Sequence, residues 1–178
     1  LEEILDAFDQ ARILVVGDFF LDKYLVLDAA LTEVSLETGL GAYQVVAKRL
    51  CPGAAGTVTS NLRALDTGTV MALGLVGRDG EGYDLIGGLQ ATGVDTDLLV
   101  QSEECFTPTY TKPMLREGGT ERELNRVDIK NRRPCPPAVE RRILEALRDA
   151  APAVDAVIVA DQVQERNCGV VTDVVRRE

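Results

Sequence analysis

Histidine and tryptophan are absent from this chain, and its four cysteines, Cys51, Cys105, Cys135 and Cys168, stand at least thirty residues apart with no CxxC pair. Without histidine and without close cysteine spacing, zinc and haem sites are not expected. No apolar run reaches the roughly 18 residues of a membrane-spanning helix, and nothing at the N-terminus resembles a signal peptide. The cysteines are therefore expected to be free thiols in a reducing, cytoplasmic setting. Positive charge is also in short supply: 19 Lys and Arg against 29 Asp and Glu leave a net charge of −10. Such a chain on balance repels nucleic acid and anionic membranes, although a local basic pocket stays open, and small molecules are the expected partners.

What is present suits a folded protein. Apolar residues make up 46% and charged residues 27% of 178 residues, enough for one respectable core. Residues 1–10 (LEEILDAFDQ) place apolar side chains at 1, 4, 5 and 8, the spacing of one helical face. Three continuous β-branched runs, 12–17 (RILVVG), 69–77 (TVMALGLVG) and 154–161 (VDAVIVAD), read as strands buried on both faces, as in a parallel sheet. The last two follow helical patterns at 55–66 and 137–151, and the alternation argues α/β. Two stretches, 24–50 and 106–130, break that rhythm with strand-type residues and no helix between them. They predict a small mixed or antiparallel sheet, a lid over the carboxyl ends of the main strands, where ligands of α/β proteins bind.

The block 52–66, PGAAGTVTSNLRALD, is the most informative segment. A helix mouth stripped of bulk lets a ligand approach backbone N–H groups that are unpaired in the first turn. Asp18 and Asp22, at the end of the first strand, have the carboxylate chemistry to accept hydrogen bonds from a polar ligand, or to cap a turn or pair on the surface. Gly53, Ala54 and Thr57 open the following helix, where close helix-to-strand packing is the bland alternative. Lys112 and Arg126 lie on lid strands and can supply positive charge to an anionic group; Arg126 has Asp128 within reach as an alternative partner. Asp161 ends the third strand run and fits a turn role equally well.

The run GDFFLD (17–22), PGAAGTVTSNLRAL (52–65), GLVGRDGEG (74–82) with LQATGVDT (89–96), then TPTYTKPM and ELNRVDIKN, resembles the first half of a ribokinase-like (PfkB) carbohydrate kinase, and most of all its heptose-phosphate kinase branch. The resemblance implies a central, mostly parallel sheet flanked by helices with a β lid, spanning residues 1–178 with lid strands from about 24–50 and 106–130. It implies ATP-dependent phosphorylation of a sugar or sugar phosphate with Mg²⁺, and a homodimer through the lid. The matching substrate-binding positions are Asp18, Asp22, Gly53, Ala54, Thr57, Lys112 and Arg126. Ala54 replaces the family's second glycine, and Thr57 stands where an asparagine is usual.

The family's Gly-Ala-Gly-Asp turn, whose aspartate acts as general base, has no counterpart here, so no catalytic residue is assigned and the C-terminal part of the fold is expected to be missing. GRDGEG (77–82) fits no Walker A pattern and reads as a turn and helix start. Residues 169–178 (GVVTDVVRRE) read as a helix with a valine stripe, which suggests the N-terminal part of a longer kinase. The alternative function is a non-catalytic sugar-phosphate-binding or dimerisation module; an unrelated α/β ligand domain is the remaining possibility.

Overall fold

A computed structural model describes residues 7–178. The first six positions of the expected N-terminal helix lie outside the described residues, and Phe8–Gln10 form a single 3-10 turn. The main sheet is parallel, in the order β10 (Ala156–Ala160), β1 (Arg12–Gly17), β4 (Thr69–Leu73). Central strand β1 carries Leu14, Val15 and Val16 at no more than 1% exposure, as its unbroken apolar run requires.

The alternation of β1 divides the core. Leu14 and Val16 face α3 (Pro137–Ala150), whose Val139, Ile143 and Leu144 meet them. Val15 faces the other layer, which holds Ala55 of α1 (Ala55–Ala64) and Leu85 and Leu89 of α2 (Gly80–Ala91). The result is helix, sheet, helix. Pro137 opens α3 at the position where its missing N–H costs nothing. Asp79 caps α2 by accepting from Gly82 N–H at 2.7 Å, so the GRDGEG glycines serve a strand-to-helix turn.

Three expectations change. The run 69–77 is not one strand: it breaks at Gly74, and β5 (Leu75–Gly77) pairs instead with β6 (Val100–Ser102). Gly74 packs so close to β1 that a Cβ there would lie 2.6 Å from the Phe19 ring and 2.7 Å from the Gly17 carbonyl oxygen. The run 154–161 is not buried on both faces, because among the described residues β10 is bonded to β1 alone, which leaves Val157 and Val159 at 41% and 58% exposure. Residues 169–178 are turns with a 3-10 segment at Val175–Arg177 rather than an α-helix. Their valines reach the core all the same, Val170 and Val175 being buried on the α3 side.

The lid is a second sheet. β2 (Phe19–Val34) starts one residue after β1, runs antiparallel to β3 (Gly41–Ala54) and parallel to β7 (Thr109–Glu117). β8 (Thr120–Glu123) and β9 (Val127–Ile129) pair with β7 in antiparallel fashion. The inner half of β2 faces the core through Phe19 and Leu21, both fully buried. The outer hairpin projects into solvent with Leu36, Leu40, Val45 and Val46 exposed.

Candidate functional site

Where β1 ends, Asp18 joins three parts of the molecule. Its backbone N–H donates to Ala160 O at the end of β10, and its carbonyl accepts from Ala55 N–H at the start of α1, both at 3.0 Å. Its side chain is 3% exposed and accepts three backbone N–H groups: Gln162 and Val163 at 2.9 Å on Oδ2, Val170 at 2.7 Å on Oδ1. A buried carboxylate is tolerated only when its oxygens are satisfied in this way. Asp18 thereby shapes the loop 161–170, which forms one wall of a cleft of about 270 Å³. The opposite wall comes from the lid, with Phe20 and Tyr110 stacked edge to face at 5.2 Å.

The alternation of β2 puts Phe20, Asp22 and Tyr24 on one face, and the registers Asp22↔Tyr110, Tyr24↔Lys112 and Phe20↔Gly53 bring residues of β7 and β3 onto the same face. Lys112 Nζ donates to Asp22 Oδ1 at 2.6 Å and to the Tyr24 hydroxyl at 3.1 Å, lying 4.6 Å from the centre of the Tyr24 ring. Partial burial pulls the Lys112 pKa down, but the bonds to Asp22 and Tyr24 outweigh it, and the ammonium stays above its ordinary value. Asp22 Oδ2 accepts no hydrogen bond among the described residues. It faces the space left by Gly53, where a Cβ would stand 2.5 Å from that oxygen.

Arg126 lies 4.1 Å above the Tyr110 ring and grips Asp128 with two nitrogens at 2.7 and 2.8 Å. It lines the cleft, as do Asp18, Lys130 and Asn131. Ala54 caps α1 without a side-chain bond and holds φ +52°, ψ −116°, a conformation that favours glycine. Thr57 is exposed in the first turn of α1 and lines no cleft. The seven expected positions thus divide: Asp18 and Arg126 line the first cleft, Asp22, Gly53 and Lys112 share the lid face with Arg126 but line neither cleft, Ala54 shapes the backbone, and Thr57 stands apart. Asp161 pairs with Arg176.

A second cleft of about 560 Å³ adjoins the first and shares Leu75, Lys130, Asn131 and Cys168 with it. Cys105 and Cys135 line it, and burial pushes the Cys135 thiol up to about 12, with Cys105, Glu140 and Asp18 adding in the same direction. The loop residues Gln162 to Glu165 and the run 130–133 were not anticipated. The loop carries no motif, and of the run only Lys130 and Asn131 fall in the ELNRVDIKN block; the hydrogen bonds of Asp18 and Asn131 bring the two segments to the clefts. Among the described residues no group of three or more His, Cys, Asp or Glu is placed to hold a metal ion, and no residue is assigned to Mg²⁺ or ATP.

No family model matches the chain. It is 35% identical over 161 residues to the bifunctional protein HldE of Shewanella amazonensis, covering 88% of this chain and 31% of that protein. Among solved structures it resembles a putative phosphofructokinase from Staphylococcus aureus (TM-score 0.58, 20% identity, 85% of this chain and 44% of that one). It also resembles phosphofructokinase-2 of Escherichia coli in complex with fructose-6-phosphate (TM-score 0.56, 15% identity, 84% and 45%). The chain therefore spans about a third of the length of the curated relatives it matches and under half of the solved chains, and its fold is that part of the ribokinase-like fold.

Proposed function

We propose that this PfkB-like carbohydrate-kinase region supplies the sugar-binding half of an enzyme that phosphorylates a sugar or sugar phosphate with ATP and Mg²⁺. The observation that carries this reading is Asp22: one carboxylate oxygen is held by Lys112 at 2.6 Å, and the other faces a space that only a glycine at 53 leaves open. An oriented carboxylate with a free oxygen accepts hydrogen bonds from sugar hydroxyls. The Phe20 and Tyr110 rings beside it offer apolar walls to the faces of the sugar ring, and Asp18 keeps the opposite wall in place without spending its own oxygens on substrate. ATP and Mg²⁺ would supply the transferable phosphoryl group and offset its charge. The exposed apolar tip of the lid, Leu36, Leu40, Val45 and Val46, supports a homodimer formed through the lid, and the four free thiols are compatible with the cytoplasmic location we propose.

Calorimetry on the chain with a panel of pentoses, hexoses, heptoses and their phosphates tests the sugar-binding reading. Binding that Asp22→Asn weakens roughly tenfold or more, with Asp22 Oδ2 replaced as acceptor, is the expected result. No binding across the panel at millimolar ligand overturns it. Sugar binding together with no ATP consumption by a longer protein that joins this region to a Gly-Ala-Gly-Asp segment would favour the non-catalytic binding module. Light scattering decides the dimer: a monomer whose mass Leu36→Asp leaves unchanged removes it.

A further inference from the structure

The lid cations are already committed within the protein: Lys112 to Asp22 at 2.6 Å, and Arg126 to both oxygens of Asp128. The run Lys130-Asn131-Arg132-Arg133 differs. Arg133 has no carboxylate within 4.0 Å among the described residues, and Lys130 reaches one only at 4.0 Å. Arg132 holds Glu165 at 3.2 Å across an exposed surface, a pair of little strength. All three cations line the second cleft, whose lining carries a single carboxylate, Glu104, in a protein of net charge −10.

The backbone that presents them is pinned at both ends. The Asn131 side chain accepts from Phe106 N–H and donates to Phe106 O, both at 2.9 Å, and Cys135 N–H donates to Asn167 O at 2.8 Å. A pinned segment whose cations are free, as Arg133 is, or held only by weak surface pairs, as Arg132 and Lys130 are, binds an anion at little cost in ion pairs of its own. Lys130 and Asn131 also line the first cleft, which reaches Phe20 and Tyr110 beside Asp22, so the two clefts make one elongated depression.

We propose that the second cleft is a phosphoryl-anion site formed by Lys130, Arg132 and Arg133, which takes the phosphate of a phosphorylated sugar whose ring lies in the first cleft. The assignment rests on the sugar-binding reading above and moves the phosphate contacts away from Lys112 and Arg126. Two sources share this chemistry: the substrate's own phosphate and a separate phosphorylated small molecule.

The test titrates the chain by calorimetry with fructose and fructose 6-phosphate, ribose and ribose 5-phosphate, and inorganic phosphate, in the wild type and in Arg132→Ala, Arg133→Ala and the double variant. Both arginines are exposed, so the variants should fold. At least one phosphorylated sugar should bind roughly ten- to hundredfold more tightly than its parent sugar, the range expected for charge-assisted bonds. The double variant should reduce that preference below about threefold while the parent sugar binds as before. Inorganic phosphate that competes with the sugar phosphate but not with the sugar identifies the substrate's phosphate as the occupant; simultaneous binding identifies a separate ligand. A preference that survives in the double variant and disappears in Lys112→Ala or Arg126→Ala overturns the assignment and leaves the sugar reading intact. If no sugar binds, that reading fails alone, and the amide shifts of residues 130–135 with inorganic phosphate still decide: shifts lost in the double variant support the site, and no shifts overturn it.

Discussion

Strand β1 and the outer lid hairpin are similarly apolar, yet one lies under two helical layers and the other stands in water. Leu14, Val15 and Val16 are at most 1% exposed, whereas Leu36 is fully open and Leu40 is 70% exposed. The difference lies in what each sheet is packed against. Parallel strands joined by helices acquire cover on both faces from their own connections, while a long hairpin carries its outer half past every helix that could cover it. Apolar residues in the first setting are expected to govern stability, and those in the second to govern association.

Leu14→Ala should produce the largest change, a loss of about 2–5 kcal/mol by chemical denaturation, since the cavity opens between layers that cannot collapse. A loss below 1 kcal/mol would mean that the parallel sheet is less well packed than its burial indicates. Next, Asp18→Ala should cost about 2–4 kcal/mol, because three backbone N–H groups lose their charged acceptor. Amide hydrogen exchange should quicken selectively at Gln162, Val163 and Val170. Uniform quickening would show that Asp18 supports the whole fold rather than this loop.

Cys135 tests the same interior through pH. Burial raises its thiol to about 12, so the folded state keeps a proton that the unfolded chain releases near 9. The contribution is complete below about 9 and is lost as pH climbs toward 12, at up to about 1.4 kcal/mol per pH unit. Denaturation midpoints from pH 8 to 11 should fall less steeply in Cys135→Ala than in the wild type. Ala54→Gly should stabilise by about 1 kcal/mol, relieving an L-residue held at φ +52° at the mouth of α1. The smallest effect belongs to the lid tip, where Leu36→Ser should change monomer stability by less than about 0.5 kcal/mol.

The α/β rhythm was legible because buried parallel strands are written as unbroken β-branched runs, and RILVVG needs no partner to be recognised. The strand at 69–77 was harder to read. Its break at Gly74 comes from the approach of the Phe19 ring and the Gly17 carbonyl, which lie more than fifty residues earlier. The valines of 169–178 have helical spacing, yet the segment forms turns that carry Val170 and Val175 into the core, with Val170 N–H bound to Asp18.

The site shows the same division. Asp22, Gly53, Lys112 and Arg126 were visible as residue types in a family-like order, but the lid registers place the first three on one face with Tyr24 and Tyr110, and stacking on the Tyr110 ring brings Arg126 to it. Asp18 has the same carboxylate as Asp22, and its burial against three N–H groups sets it apart. The exposed strand face of Val157 and Val159 likewise depends on β10 having one partner in the sheet.

By itself the sequence determined the class of the fold, the alternation of its main strands and helices, and the residue types available to hold a sugar, because hydrophobic period and turn chemistry act over a few residues. The tertiary structure decided which carboxylate is a scaffold and which is free, and which cations are spent on internal pairs and which remain. Those properties depend on distances between residues as far apart as Asp18 and Val170, and no local pattern encodes such a distance.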